Sequence, residues 1–410
     1  MGNEHYDVAV VGGGPAGAVA AATAARHGAT VLLVEKAIPE HKPVQCTGLV
    51  SLRTLEEAGI DSDADVVLRE ITGASVYAPN GRRLQLGGGR TRAVVIDRQR
   101  FDLLLLERAR LAGVDVRTET TAVGLEGAGL RLNHNGRESV VRAKVIIGAD
   151  GPRSRIAQWK GLPEPQELLV GFQTVAPYEP EREDAVSVFL GSALAPRFFA
   201  WAVPERPGWA RIGLGTDPGR NAHRHLDDLL RKLGITKPQG LTAGLIPIGP
   251  PPRTVADGVL LVGDAAGQAK PTSGGGLYTG IVCAKIAGEV AADCARRGDA
   301  EAAALAAYEE RWRKLLGKEL AFGMLAHRLL ASLSDASLNE IVAFLDDPEI
   351  LTLINEYGDI DSPSILARRV LQSPKLWRKA VALVPQAMML RDLLHSSRRE
   401  KSSPKMDLRS

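Results

Sequence analysis

The sequence predicts a mixed α/β protein: a doubly wound, Rossmann-like sheet joined to an antiparallel β-sheet and followed by a helical C-terminal region. Three observations carry this. A strand, a glycine-rich turn and a helix open the chain and lead into a second strand. Two further strands of the same buried type recur far downstream, each ending in Gly and then Asp within a residue or two. The segments between them alternate apolar and polar residues instead, as half-buried antiparallel strands do.

In order, residues 6–11 (YDVAVV) read as a buried strand, 15–27 as an Ala-rich helix and 30–34 (TVLLV) as the next strand. The recurring strands are 144–147 and 258–262, so the first domain is discontinuous, made of 1–72, 97–165 and 247–300. Between its parts, 73–96 and 166–246 are expected to form the antiparallel sheet. A helix is expected over 278–292. Apolar residues at three and four spacing then predict helices over 302–316, 320–333 and 338–344 within a C-terminal helical region, 301–397. Residues 398–410 form a polar tail.

Composition narrows the function. A chain of 410 residues with 45% hydrophobic and 24% charged residues is an ordinary globular protein, too long for one core. Lys+Arg 51 against Asp+Glu 48 leaves +3, which lacks the electrostatic footprint of a nucleic-acid binder. Cys46, Cys283 and Cys294 have neither disulfide nor zinc spacing, and the expectation is a cytoplasmic protein. The apolar stretch 281–292 is broken by Lys285 and Glu289, so any membrane contact is expected to be peripheral, on the cytoplasmic face.

Chemistry concentrates in three motifs. The first is Gly12, Gly14 and Gly17 after a strand and opening a helix, where glycines permit a tight turn, approach of a pyrophosphate, and close helix packing. Glu35, followed by Lys36, ends the next strand, where an acid takes ribose hydroxyls; a glycine-rich turn without ligand is the bland alternative, about one in twenty in this setting. The second is Gly148-Ala149-Asp150-Gly151, which alone reads as a strand-ending turn. The third is Gly263-Asp264-Ala265-Ala266-Gly267, followed by Lys270 to Leu277 (KPTSGGGL) at the start of a helix. Glycine amides there suit a phosphate or a reduced isoalloxazine.

The ordered trio resembles the FAD-binding fingerprints of the para-hydroxybenzoate hydroxylase-like flavoproteins. Within that group, residues 43–49 (PVQCTGL), 199–204 (FAWAVP) and 270–278 (KPTSGGGLY) are similar to the geranylgeranyl reductase family, a likeness covering roughly residues 5 to 320. The resemblance implies an FAD domain with an antiparallel substrate sheet, and an enzyme that saturates C=C bonds of a geranylgeranyl-type chain by hydride transfer from reduced flavin. It places Ala16 and the neighbouring glycines at the FAD pyrophosphate and Glu35 at the adenosine ribose. It places Cys46, Thr47 and Gly48 along the flavin, Arg98 on the FAD, Ala122 or Val123 beside adenine, Asp264 at the ribitol or pyrophosphate, and Gly276 and Leu277 at the ring. Arg100 competes with Arg98, which composition alone makes a surface cation.

The sequence departs from the family's Tyr-x-Trp-x-Phe-Pro pattern at Phe199 and Val203, which removes a hydroxyl and reshapes the pocket. Phe199 and Trp201 are the candidate substrate contacts; an aromatic pair two apart on a strand is otherwise core packing. Saturating an alkene also needs a proton, and Cys46 is the titratable side chain in the flavin-lining segment, its alternative being a small buried hydrophobe. No second strand-GxGxxG-helix unit is present, so NAD(P)H and a ferredoxin-like protein both stand as electron donor. A flavin-dependent aromatic hydroxylase shares all three motifs and is the rival enzyme; a flavin-binding protein without turnover is the rival outside enzymes. Halogenation is disfavoured, because no Lys occurs between Lys42 and Lys144. Residues 365–394 mix apolar and basic side chains, which suggests docking on an anionic membrane, against the alternative of packing on the protein itself.

Overall fold

The computed structural model describes residues 4–378 apart from 42, 63, 128, 220 and 377. The strands, in chain order, begin with β1 (Glu4–Val11), β2 (Val31–Val34), β3 (Leu49–Ser51), β4 (Val67–Ile71), β5 (Gly73–Tyr77) and β6 (Arg83–Gly87). Next come β7 (Ala93–Ile96), β8 (Asp115–Arg117), β9 (Thr120–Glu126), β10 (Gly129–His134), β11 (Arg137–Gly148) and β12 (Glu167–Pro177). The last are β13 (Ala185–Phe189), β14 (Ala200–Arg206), β15 (Trp209–Thr216), β16 (Gln239–Ile248), β17 (Val255–Ala256) and β18 (Val259–Leu261). The helices are α1 (Pro15–Arg26), α2 (Leu52–Ala58), α3 (Arg98–Leu111), α4 (Arg155–Trp159), α5 (Arg224–Lys232) and α6 (Leu277–Arg297). They continue as α7 (Ala302–Trp312), α8 (Lys318–Ala331), α9 (Asp335–Leu345), α10 (Pro348–Tyr357) and α11 (Ser364–Gln372).

The first sheet has the order β17-β18-β11-β1-β2-β8, with β9 and β10 as an antiparallel extension. Its centre is parallel: Val8 sits beside Val145 on one side and Val31 on the other. Strands covered on both faces must be apolar throughout, and the inner halves of β1, β2 and β11 are buried without interruption. Helices α1, α3 and α6 cover one face, the large core there running from Val8 to Tyr308 and Trp312. This is the doubly wound domain the sequence implied.

The second sheet has seven strands in the order β16-β12-β15-β14-β13-β5-β6, antiparallel except where β13 meets β5. Residues 93–96, expected in this sheet, instead pair as β7 with β3 and β4 in a separate three-stranded sheet. The reason lies in burial: β7 is buried on both faces, whereas β5 and β6 are mostly half-buried. The helix expected over 302–316 is α-helical through Trp312 and continues as a π-helical turn, Arg313–Gly317, directly into α8. Helices α9 and α10 return to the seven-stranded sheet, where Asn339 and Asn355 side chains accept from the Asn80 and Gly87 amides at 3.0 and 2.8 Å. Among the described residues no helix is long and apolar enough to cross a membrane.

Candidate flavin and substrate site

The turn from β1 into α1 separates two demands on glycine. Gly12 has φ +110°, and a methyl group on it would lie 2.2 Å from the Ala149 carbonyl oxygen; one on Gly17 would lie 1.9 Å from the Gly12 oxygen. Those two are required by the chain itself, and they lock GGGPAG against GADG. Gly14 is different: a side chain there would meet no atom within 4 Å. It is the N-cap of α1, which starts without a capping side chain to take its first-turn amides. Glu35, 3% exposed, accepts from the Gly13 and Ala37 amides at 2.8 and 3.0 Å, which fixes the acid beside the turn. Thr120 donates its amide to the Glu35 carbonyl at 3.0 Å, so Val123 lies on a strand that starts at the acid. Lys36, by contrast, points to solvent.

The Gly263–Gly267 motif is set by a buried relay: Tyr308 donates to the Leu261 carbonyl (2.7 Å), Gln268 to the Tyr308 hydroxyl (3.0 Å), and the Gly263 amide to Gln268 (2.8 Å). Gly263 packs on Ala16, which joins the third motif to the first. Asp264 then faces Gly276, the N-cap of α6, again without a capping side chain. Burial pushes its carboxyl up to about 6, with Arg98 pulling the other way. The Asp264 carbonyl accepts from the Gly267 amide at 3.1 Å, whereas its carboxylate receives no hydrogen bond from the described residues. Asp150 is already used, capping α4 through Ser154 Oγ and the Arg155 and Ile156 amides. It serves the strand-ending turn and the helix start, as the second motif taken alone suggests.

Three residues far apart in sequence meet here. The Arg98 side chain is 12% exposed and grips Asp102 with two hydrogen bonds of 3.1 Å, whereas Arg100 is 65% exposed. Burial works against the Arg98 charge, but Asp102 and then the Cys46 sulfur hold it above the ordinary arginine value. Of the two candidates Arg98 is therefore the buried one, and its charge acts on both Cys46 and Asp264. Cys46 is half-buried, its sulfur accepting from the Gly48 amide at 3.4 Å. Cys283 and Cys294 are fully buried in the helical core.

Two residues outside every sequence motif hold the Cys46 loop. Arg211 on β15, 9% exposed and gripped by Glu205, donates to the Thr47 and Ile96 carbonyls at 2.7 and 3.2 Å, passing the α-carbon of Gly48 where no side chain would fit. Gln173 on β12 donates to the Cys46 carbonyl (3.4 Å) and accepts from Trp201 Nε1 (3.3 Å), tying the loop to the second sheet. Trp201 lies over Gly213, its neighbour on β15, and Phe199 meets it edge-on at 6.0 Å. Beyond Phe199 opens a groove of about 90 Å³ between the 190–199 connection and α8, lined largely by apolar side chains and reaching Thr272 in the turn before α6.

These features fit FAD. Two uncapped helix starts, a glycine facing open space, and a carboxylate without a chain partner are what a pyrophosphate and a polyol would satisfy. A family profile described as an FAD binding domain matches residues 5–203. The digeranylgeranylglycerophospholipid reductase 2 of Methanopyrus kandleri is 36% identical over 371 residues, 85% of this chain and 93% of that one. The crystal structure of a geranylgeranyl bacteriochlorophyll reductase-like protein from Thermoplasma acidophilum superposes with a TM-score of 0.82 at 28% identity, covering 96% of this chain and all of the other. A p-nitrophenol 4-monooxygenase from Pseudomonas putida shares the fold, with a TM-score of 0.69 at 18% identity over 86% of this chain and 97% of its own.

Proposed function

The chain belongs to the digeranylgeranylglycerophospholipid reductase family, and from that premise we propose how it works. It is an FAD-dependent oxidoreductase that saturates carbon–carbon double bonds in a prenyl lipid. Bound and reduced, FAD supplies the hydride. The protein supplies position, exclusion of water and a proton.

Residues 73–87 and 166–248 hold the prenyl chain, with Trp201 and Phe199 as its apolar wall. An isolated alkene offers no polar handle, so it is held by shape and apolar area. Cys46 gives the proton: its S–H bond breaks as a C–H bond forms on the carbon next to the one that receives hydride. Arg98, already against the sulfur, meets the charge left behind. The observation that supports this reading is the bridge from the Cys46 carbonyl through Gln173 to Trp201, which ties the loop of a half-buried thiol to the aromatic pair.

Electrons arrive from a nicotinamide cofactor or a ferredoxin-like protein. Anaerobic bleaching of the bound flavin by NADH, NADPH or reduced ferredoxin tells these apart. The test of the reaction is anaerobic incubation of reduced, FAD-loaded protein with digeranylgeranylglycerophospholipid. Product mass should rise by two hydrogens per double bond. Reduced flavin that persists beside unchanged lipid would refute the assignment.

A further inference from the structure

Among the described residues the most deeply buried ion pair joins Lys270 and Asp361, whose side chains are 12% and 1% exposed. Lys270 opens the turn that leads into α6. Its amide donates to the Gly275 carbonyl (3.0 Å) and its carbonyl accepts from the Gly274 amide (2.8 Å), so the turn closes on itself. The side chain folds back across it: a methyl group on Gly275 would stand 3.4 Å from Lys270 Cε and 3.9 Å from Nζ. The ammonium donates to Asp361 Oδ1 at 2.6 Å and to the Ile360 carbonyl at 3.1 Å.

Asp361 comes from the loop between α10 and α11, and that loop is fastened on several sides. Asp359 pairs with Arg53 at 3.0 Å and accepts from the Asp361 and Ser362 amides. Arg92 donates to the Gly358 carbonyl at 3.2 Å, and the Ser364 amide donates to Glu319 at 3.2 Å. Yet Asp361 Oδ2 is buried with no hydrogen-bond partner. A buried ion pair is a poor source of stability, and an unsatisfied carboxylate oxygen makes it poorer. The pair makes sense by its location, behind the glycines at the start of α6.

We propose that Asp361 and Lys270 form an electrostatic positioning device for the cofactor: Asp361 fixes the ammonium over the glycine turn, and the ammonium sets how readily bound flavin accepts electrons. This rests on the reading that places the flavin ring at Gly276 and Leu277. Uptake of two electrons and one proton leaves the isoalloxazine with a negative charge, which a fixed cation at its edge stabilises. Lys270 favours the reduced form, and Asp361 moderates that effect while preventing the side chain from swinging into solvent.

The test is a dithionite titration of the full-length, FAD-loaded protein against indicator dyes, with FAD affinity measured in parallel. Lys270→Met should lower the ratio of reduced to oxidised flavin at a given poise about tenfold, a negative shift of about 30 mV. Asp361→Asn, which keeps the shape, should move the potential the other way. The double variant should return towards wild type, and Lys270→Arg should stay near it. Single variants that shift in the same direction, that do not shift, or that lose FAD together would overturn the proposal and leave a structural tie. If wild type binds FAD but Gly276→Val leaves its affinity and visible spectrum unchanged, the proposal falls through its premise, because the ring then lies elsewhere.

Discussion

A glycine can be demanded by the chain or by a ligand, and the turn after β1 holds both kinds. Gly17→Ala drives a methyl group into the Gly12 oxygen, so the protein should lose several kcal/mol of stability or fail to fold. Gly14→Ala meets nothing in the chain, so its melting temperature without FAD should match wild type while FAD affinity falls at least tenfold. Equal losses in both would mean that no ligand approaches Gly14. Asp264 gives a pH signature. Its carboxyl in the folded, flavin-free protein stands at about 6, above an unfolded value near 3.9. The folded state therefore holds its proton more tightly. The stability this contributes is full below about pH 4 and is lost as pH rises through about 6, amounting to at most about 3 kcal/mol. Urea denaturation from pH 4 to 7 should show that slope, and Asp264→Asn should flatten it. Cys46→Ser should leave flavin content and reduction intact but slow alkene saturation by roughly 10²- to 10⁴-fold; unchanged turnover would remove the thiol from the mechanism. Glu35, Cys46 and Asp264 could be proposed from the sequence because each sits in a local pattern. Gln173 and Arg211 were not, because their importance lies in contacts made 127 and 164 residues away, which periodicity does not encode.

At the scale of elements, β14 and β15 show how the Trp201 ring is seated. Trp201 pairs with Gly213 across the sheet, and an added methyl group there would lie 2.8 Å from the indole, so the glycine makes the room in which the ring lies flat. Trp201→Ala should therefore cut prenyl-lipid turnover at least tenfold while flavin content stays unchanged, since the lost apolar contact is remote from the pyrophosphate cradle. Joint loss of flavin and turnover would make Trp201 a core residue. The parallel strands were legible as uninterrupted apolar runs. The small β3-β7-β4 sheet was not, because AVVI at 93–96 looks the same whether it is buried between helices or between other sheets. The continuity of α7 with α8 through a π-helical turn escaped for a related reason: such a turn shifts the apolar stripe by one residue without interrupting it.

At the scale of the whole molecule, the substrate poses a problem of access. A prenyl lipid resides in a bilayer, and no described helix is long and apolar enough to cross one. We propose that contact comes from a surface-lying element. Residues 365–394 were the sequence's candidate, and most of the later part lies outside the described residues. Within the described part, three side chains are committed elsewhere: Arg369 stacks on Tyr357, Lys375 pairs with Glu349 at 2.8 Å, and Leu376 is fully buried. Those three serve the protein's own packing, so the docking proposal is tested on the residues C-terminal to Arg378. That stretch carries Lys379, Arg391, Arg398, Arg399, Lys401, Lys405 and Arg409 against Asp392, Glu400 and Asp407. Each basic residue near an anionic surface adds about 1 kcal/mol, screened within about 10 Å at 0.1 M salt. Full-length protein should accordingly float with phosphatidylglycerol vesicles at low salt and be released as salt is raised. A chain ending at Arg378 keeps the contacts of Arg369, Lys375 and Leu376, so it should fold, hold FAD and remain at the bottom of the gradient. If that shortened chain floats as well as the full one, docking belongs to the folded body, where the groove beyond Phe199 and the half-exposed Leu330 beside it become the place at which lipid enters.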